Sequence, residues 1–209
     1  MTSLLKYICA AALALTLPAA PLAAAEPDDE ADVLELSLDD NIATPEVPKR
    51  AKTYIRTAMD QLRRLLIKKG YTVESLRDGE VLEVTISCAD LFGPGAVELK
   101  AGGRERLKEL GTTAVTSERY KVAVAVHADD TGDEQYADSI TAARANAIDD
   151  YFWQLAGQKD TNVVPYGIGR DEPRVPNDSR ANRHINRRVE IFIIPDKGLL
   201  EMAGVKPKK

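Results

Sequence analysis

The sequence predicts a mixed α/β fold, an α+β sandwich in which one sheet carries helices packed on one face. Apolar residues alternate or run together in short segments that are typical of strands, and amphipathic stretches typical of helices separate these segments. No internal repeat is present. Alternation of the two element types favours a mixed sheet covered by helices, and 209 residues suffice for one domain of roughly 100–150 residues with an extension.

Residues 1–25 have the pattern of a secretory signal peptide. Lys6 precedes an apolar run, and Ala23 and Ala25 form a small-residue cleavage site before Glu26. An uncleaved membrane anchor is the alternative, but the run is shorter than the ~20 residues that a spanning helix needs. We therefore expect a secreted protein that begins at residue 26.

The composition of that secreted chain excludes two classes of protein. Cys88 is its only cysteine, so no internal disulfide can form, and we expect a buried thiol in a strand. The full chain has a net charge of −5, and loss of Lys6 with the signal peptide makes it −6. An acidic chain without a basic face is not expected to bind nucleic acid.

Residues 26–48 are predicted to be an extended acidic linker. Nine acids and no Lys or Arg lie between residues 26 and 47, and prolines punctuate the segment. A partner-binding acidic segment is the alternative interpretation.

Residues 49–80 are predicted to form a helix and the first strand of a hairpin. The helix, about residues 49–69, ends at Gly70, and its apolar stripe consists of Ile55, Ala58, Leu62, Leu65 and Leu66. Strands at residues 71–76 and 81–87 flank an Asp78-Gly79 pair, which is a hairpin signal.

Residues 81–196 are predicted to form the main domain, with a tail at residues 197–209. After Gly93-Pro94-Gly95 we expect a short helix at residues 102–112, a buried strand at 121–126 and a long helix at 134–156 capped by Asp133. Strands at residues 162–167 and 187–195 follow. The polar loop between them, residues 168–186, has one expected helical turn near residues 179–183.

The long helix carries an arginine inside its apolar stripe. Arg144 falls on the predicted apolar face, which comprises Ile140, Ala143, Ala147, Ile148, Tyr151 and Leu155. A buried guanidinium without an anionic partner costs several kcal/mol, as an order of magnitude. Asp129, at the end of a strand fifteen residues upstream, satisfies it, or a ligand does, or both share it.

These features combine into a motif set that resembles the OmpA-like peptidoglycan-binding domain family, which includes the C-terminal domain of OmpA, the Pal lipoproteins and MotB. Asp129 and Arg144 lie fifteen residues apart, and Gly167-x-Gly169 is followed by Pro173 and Asn177. The chain then has Arg183 and the run Asn186-Arg187-Arg188-Val189-Glu190-Ile191. The resemblance covers about residues 81–195.

The resemblance implies a βαβαβ domain that binds the diaminopimelate of a peptidoglycan stem peptide. By position, Asp129 matches the aspartate that receives the ammonium group, and Arg144 matches the arginine that grips the carboxylate. Thr131 and Gly132, in the turn after Asp129, join the candidate site. Arg187 lines the pocket or covers the sheet edge, and both options stay open. Two further candidates are expected mainly to brace the 168–186 loop: Asn177 and Arg183.

The resemblance further implies a non-enzymatic periplasmic protein, associated with the cell wall and the outer membrane, whose partner is peptidoglycan. No cofactor, metal or nucleic acid is expected. Partner contacts through residues 26–69 and self-association into a homo-oligomer are further options.

Two alternatives to wall binding remain. Ala128, Ala137 and the Gly93-Pro94-Gly95 loop depart from the family pattern, so one alternative is an interaction module that keeps the fold without the ligand pocket. The other is a hydrolase that uses Asp129 as base and His127 as a metal ligand or acid.

Overall fold

The computed structural model describes residues 36–205, around one five-stranded sheet. The strands are β1 (Thr72–Leu76), β2 (Val81–Ser87), β3 (Tyr120–His127), β4 (Val163–Gly169) and β5 (Arg188–Pro195), in the order β1-β2-β5-β3-β4. The β3–β4 pair is parallel, and the β1–β2, β2–β5 and β3–β5 pairs are antiparallel. The predicted signal peptide, residues 1–25, lies outside the described residues.

The helices of the described chain pack mostly on one face of this sheet. They are α1 (Leu38–Ala43), α2 (Lys52–Lys68), α3 (Cys88–Leu91), α4 (Ala101–Leu110), α5 (Glu134–Leu155), α6 (Arg180–Asn186) and α7 (Lys197–Met202). Buried side chains of α2, α4, α5 and α7 share one apolar core with the sheet. The predicted mixed sheet with helices on one face is therefore confirmed. No helix within residues 36–205 has both the length and the apolar character to cross a bilayer.

Strand alternation separates this main core from a second sheet face. Val122, Val124 and Val126 of β3 belong to the main core, because successive side chains of a strand point to opposite faces. Ala123 and Ala125 consequently lie on the second face, where they form a smaller cluster with Val81, Phe192 and Ile194.

The N-terminal helix α2 is an integral part of the main core. Ile55, Met59, Leu62 and Leu66 are buried, and the helix ends before Gly70, whose φ of +82° suits glycine. The position of the helix is as predicted, although Leu65 is exposed. A partner surface within residues 26–69 therefore cannot use the buried stripe, and deletion of these residues would remove part of the core.

The prediction of an extended linker over residues 26–48 is wrong for its second half. Leu38 and Ile42 of α1 pack against the second face of the sheet, and Asn41 is buried. The Arg77 guanidinium donates to the carbonyls of Ile42 and Pro45, at 2.7 and 3.0 Å. The acid count misled because Asp39, Asp40 and Glu46 face solvent while the interleaved apolar residues face the sheet.

Two further local predictions need correction. Cys88 is the first residue of α3 rather than a strand residue, because the Ser87 hydroxyl accepts from the Ala89 N–H and starts a helical turn there. The predicted tail begins with α7, whose Leu199 and Leu200 complete the main core. Residues 206–209 lie outside the described residues.

The buried face of α5 is rotated from the predicted one. Arg144 is buried as expected, together with Ala137, Thr141, Ala145, Ile148 and Phe152. The prediction from hydrophobic periodicity gave too little weight to small residues of the helix, such as Ala137 and Ala145, which are buried. A Cβ on Gly167 would lie 2.6 Å from the Ala142 Cα, so only glycine lets β4 approach the helix so closely.

Candidate functional site

Asp129 lies in the turn that joins β3 to α5. The residue is 4% exposed, and its Oδ1 accepts a hydrogen bond of 3.0 Å from the Thr131 N–H. Gly132 has a φ of +89°, which lets the chain turn back, and the Asp133 carboxylate caps α5 by accepting from the Tyr136 N–H at 2.7 Å. Thr131 and Gly132 therefore shape the turn that presents the Asp129 carboxylate.

The ionic partner of Asp129 is Arg187. The Arg187 Nη1 donates to Asp129 Oδ2, and the arginine side chain is 38% exposed. Arg187 immediately precedes β5, so the strand brings it beside the end of β3. No ion pair joins Asp129 to Arg144 among residues 36–205. Asp129 therefore does not neutralise the charge of Arg144 in this structure.

Backbone carbonyls surround the Arg144 guanidinium instead. Its Nε donates to the Ala96 carbonyl at 2.9 Å and its Nη2 to the Gly93 carbonyl at 3.5 Å. The guanidinium carbon lies 4.9 Å from the centre of the Phe92 ring, and the residue is 8% exposed. Carbonyl dipoles and a ring face stabilise the cation without cancelling its charge. Within the described chain, Nη1 donates to no oxygen, so a donor remains for an anion.

The turn that holds Arg144 is the Gly93-Pro94-Gly95 loop. The Ala96 N–H donates to the Gly93 carbonyl at 3.1 Å, and Gly95 has a φ of +66°. This tight turn directs the two carbonyls to one guanidinium. The departure from the family pattern thus positions Arg144, a role that the sequence did not reveal.

Cys88 lies near both the Asp129–Arg187 ion pair and Arg144. Its N–H donates to the Arg187 carbonyl at 3.0 Å, and its Sγ lies 3.9 Å from the His127 carbonyl. Burial raises the pKa of the Cys88 thiol to about 11, against the opposing effect of the nearby Arg144 and Arg187 guanidinium groups. Both arginines thus lie near the Cys88 thiol, which makes the Asp129–Arg187 pair and Arg144 one candidate site.

Thr141, which sequence reasoning missed, and Gly169 of the Gly167-x-Gly169 motif fix the geometry of this site. The Thr141 hydroxyl of α5 accepts from the Gly169 N–H at 3.0 Å. The Gly169 carbonyl accepts from the Ala128 N–H at 2.7 Å. The chain is thus linked from α5 through β4 to the residue before Asp129. The only indication in the sequence is a threonine three residues before Arg144.

The remaining candidates from the 168–186 loop contact neither Asp129 nor Arg144 in any hydrogen bond or ion pair of the described residues. The Arg183 Nε pairs with Asp130 Oδ1 at 2.8 Å, one residue after Asp129. The Asn177 side-chain oxygen accepts from Asn186 Nδ2 at 2.8 Å. These contacts brace the loop that leads into Arg187.

His127 points away from the site. It is 1% exposed on the second face of the sheet, where its Nε2 lies 3.1 Å from Glu190 Oε2. Burial raises the pKa of Glu190, but hydrogen bonds and charge from His127 and Arg188 outweigh it and hold the pKa at about 2. His127 is therefore not placed to act with Asp129, and the hydrolase alternative lacks its second group.

Comparison with known proteins identifies the family. Residues 91–187 match the OmpA family. The chain is 32% identical over 118 residues to the outer-membrane lipoprotein YfiB of Pseudomonas aeruginosa, which covers 56% of this chain and 69% of that protein. The fold resembles a MotB-like protein from Desulfovibrio vulgaris, with a TM-score of 0.57, 24% identity, and coverage of 68% of this chain and 98% of that one.

A second solved structure has the same fold, the cell wall anchor of the T6SS from Pseudomonas aeruginosa. The TM-score is 0.53 at 22% identity, over 72% of this chain and 100% of that one. The family match spans the turn of Asp129, the helix of Arg144 and the loop up to Arg187. The chain belongs to the OmpA family.

Proposed function

We propose that this protein binds peptidoglycan non-covalently through the diaminopimelate of the stem peptide and so associates with the cell wall in the periplasm. The observation that carries the proposal is the Arg144 guanidinium, held by carbonyls and left without a carboxylate partner in the described chain, in one site with the Asp129 carboxylate. We assign no catalytic reaction to this site.

The site offers opposite charges for the two poles of an amino-acid end. The ligand carboxylate binds the free donors of Arg144, and the ligand ammonium binds Asp129. A charge-assisted hydrogen bond contributes roughly 1.5–3 kcal/mol, so one site binds modestly. A polymer with many stem peptides then adds avidity.

Arg187 has a defined part in this proposal. In the free protein it neutralises Asp129, and its 38% exposed side chain has room to turn toward the ligand carboxylate when the ammonium arrives. The ligand ammonium thus takes the place of the Arg187 guanidinium beside Asp129. The buried carboxylate is therefore paired with a cation both before and after binding.

The relatives support an envelope location. One is named an outer-membrane lipoprotein and another a cell wall anchor. Together with the signal-peptide pattern of residues 1–25, these names favour the periplasm and the cell wall as the place of action.

Sedimentation with purified sacculi tests the proposal. We expect wild-type protein to pellet with sacculi and the double variant Asp129→Ala, Arg144→Ala to lose at least about tenfold in affinity, because two charge-assisted contacts are removed. The matched control is Asp60→Ala, Arg64→Ala, which removes one Asp and one Arg from α2 together with the ion pairs of Asp60 to Arg63 and Arg64. Equal retention of the site variant and this control, with both folded by circular dichroism, contradicts the proposal.

A gentler variant separates binding from folding. Arg144→Lys keeps the charge but loses the planar fork that pairs with a carboxylate, so we expect weaker binding in a folded protein. Free diaminopimelate in excess is expected to release the wild type from sacculi.

A second candidate function is a periplasmic interaction module without wall binding. The Asp129–Arg187 ion pair favours it, because that pair already occupies the anionic half of the site. Under this alternative wild-type protein pellets with sacculi no better than the double variant, and free diaminopimelate has no effect.

A further inference from the structure

A groove of about 330 Å³ runs along α5 beside the Arg144 site. We infer that this groove is a second subsite, which holds the peptide chain attached to the captured amino acid. The inference rests on the proposed function, since it needs an amino-acid end anchored at Arg144. The volume is at the lower end of ligand sites, roughly 300–1,000 Å³, and suits a short peptide segment.

The groove begins at residues that adjoin the Arg144 site in the chain. One wall starts at Val97, which follows the Ala96 whose carbonyl accepts from Arg144 Nε at 2.9 Å. The opposite wall starts at Ala143, the residue before Arg144 on α5. We therefore place a ligand carboxylate on Arg144 beside this end of the groove.

Side chains of α5 give the groove a surface suited to a peptide backbone. The floor is made of Ala143 and Ala147, which leave space between the helix and residues 97–99. The exposed amides of Asn146 and Gln154 line its length, and neither makes a side-chain hydrogen bond to residues 36–205. An amide carries both donors and an acceptor, as a peptide bond does, so two free amides in a row match a peptide in extended form.

At the far end of the groove, Tyr151 and Arg104 contact each other. The Tyr151 hydroxyl donates to the Arg104 carbonyl at 2.9 Å, and the Arg104 guanidinium carbon lies 5.8 Å from the centre of the Tyr151 ring. The lining carries one cation, Arg104, and two carboxylates, Glu98 and Asp150, so its net negative charge disfavours an anionic occupant. Hydrogen bonding to amides is what remains to select it, which favours peptide over an anionic polymer.

Calorimetry with two probes tests the inference. The probes are free meso-diaminopimelate and a soluble stem tetrapeptide with diaminopimelate at its third position. For wild type we expect the tetrapeptide to bind at least about fivefold more tightly than the free amino acid. The double variant Asn146→Ala, Gln154→Ala is expected to lose this gain while its affinity for the free amino acid stays unchanged, because the amides face only the groove.

A filling variant gives an independent measurement. Ala143→Gln places a longer side chain in the groove and is expected to weaken tetrapeptide binding to a similar extent. Ala43→Gln is the matched control, since Ala43 is an exposed residue of α1 outside the groove. If Ala143→Gln binds the tetrapeptide as tightly as wild type does, the inference is overturned.

The two failures are distinguishable. If neither probe binds the wild type, the proposed function fails and the subsite fails with it. If free diaminopimelate binds but the tetrapeptide gains nothing, the Arg144 site stands and the groove is not a subsite.

Discussion

Arg144 illustrates how a buried charge is accommodated when it must stay available. The carbonyls of Gly93 and Ala96 and the ring of Phe92 stabilise the guanidinium. A carboxylate in the same place would stabilise it more strongly, but a ligand would then have to displace that partner. Neutral dipoles leave the net charge in place for an incoming carboxylate.

Asp149 is the residue whose charge state we expect to affect stability near neutral pH. It lines a cavity of about 1020 Å³ at the other end of the sheet from Asp129, together with Asp150, Trp153 and Asp196. Burial raises the pKa of Asp149 to about 6, and the neighbouring Asp150 contributes in the same direction. Between about pH 4 and 6, Asp149 therefore keeps its proton in the folded protein and has released it in the unfolded chain.

The sign of the pH dependence follows from this difference. The stability that protonated Asp149 contributes is fully present below about pH 4 and is lost as the pH rises through about 6. We expect Asp149→Asn to raise the free energy of unfolding at pH 7 by about 1 kcal/mol, a value reduced from the full linkage because solvent screens this partly buried group.

Urea unfolding at pH 4 and pH 7 checks this prediction. The gain from Asp149→Asn is expected at pH 7 and not at pH 4. Asp171→Asn, at an exposed aspartate, is the control and is expected to show no such difference. A gain of the same size at both pH values would contradict the assignment.

At the scale of elements, the contact between α5 and β4 sets the geometry of the site. Gly167 lets the strand lie against the backbone of Ala142, and the Gly169 N–H reaches the Thr141 hydroxyl. Arg144 lies less than one turn further along the same helix. A change in the helix–strand distance therefore moves the guanidinium relative to Asp129.

Gly167→Ala tests this dependence. The added Cβ would lie 2.6 Å from the Ala142 Cα, so the helix must move, and we expect a loss of about 1–3 kcal/mol in the free energy of unfolding together with weaker retention on sacculi. Gly102→Ala is the matched control, because no atom lies within 4 Å of its added Cβ. Alanine is the better helix former, so the control is expected to gain up to roughly 1 kcal/mol. Unaltered stability of Gly167→Ala would show that the close approach is not required.

At the scale of the whole molecule, the sheet carries two different faces with separate roles. The main core lies between the sheet and the longer helices. On the second face, α1 covers Ala123, Phe192 and neighbouring apolar residues. There the Lys121 ammonium donates to the buried Asn41 side chain at 2.7 Å, and Asn41 also donates to the Tyr166 hydroxyl.

Asn41→Ala is expected to separate stability from wall binding. It leaves the Lys121 ammonium with a weak 3.5 Å contact to the Thr44 hydroxyl, so we expect a loss of about 1–3 kcal/mol in the free energy of unfolding. Retention on sacculi well below the melting temperature should be unchanged, because these groups lie at another part of the sheet from Asp129. Thermal melting and sedimentation on the same samples measure both quantities. A drop in retention in a folded Asn41→Ala protein would show that the two faces are coupled.

Several features could be predicted from the sequence because they depend on local chemistry or a regular spacing. The helix stop at Gly70, the cap at Asp133 and the strand over residues 81–87 depend on a few adjacent side chains and the backbone. Burial of Arg144 followed from helical periodicity. The mixed sheet followed from the order of elements and from the family resemblance.

The tertiary structure decided what each buried charge contacts. The sequence offered Asp129 as a partner for Arg144, but the sheet order brings Arg187 to Asp129, and a turn about fifty residues before Arg144 supplies the carbonyls for its guanidinium. The packing of α1 on the second face likewise depends on which strand residues are exposed there after folding. Periodicity within one segment shows which side chains are buried, whereas their partners come from segments distant in the chain and only the folded sheet brings them together.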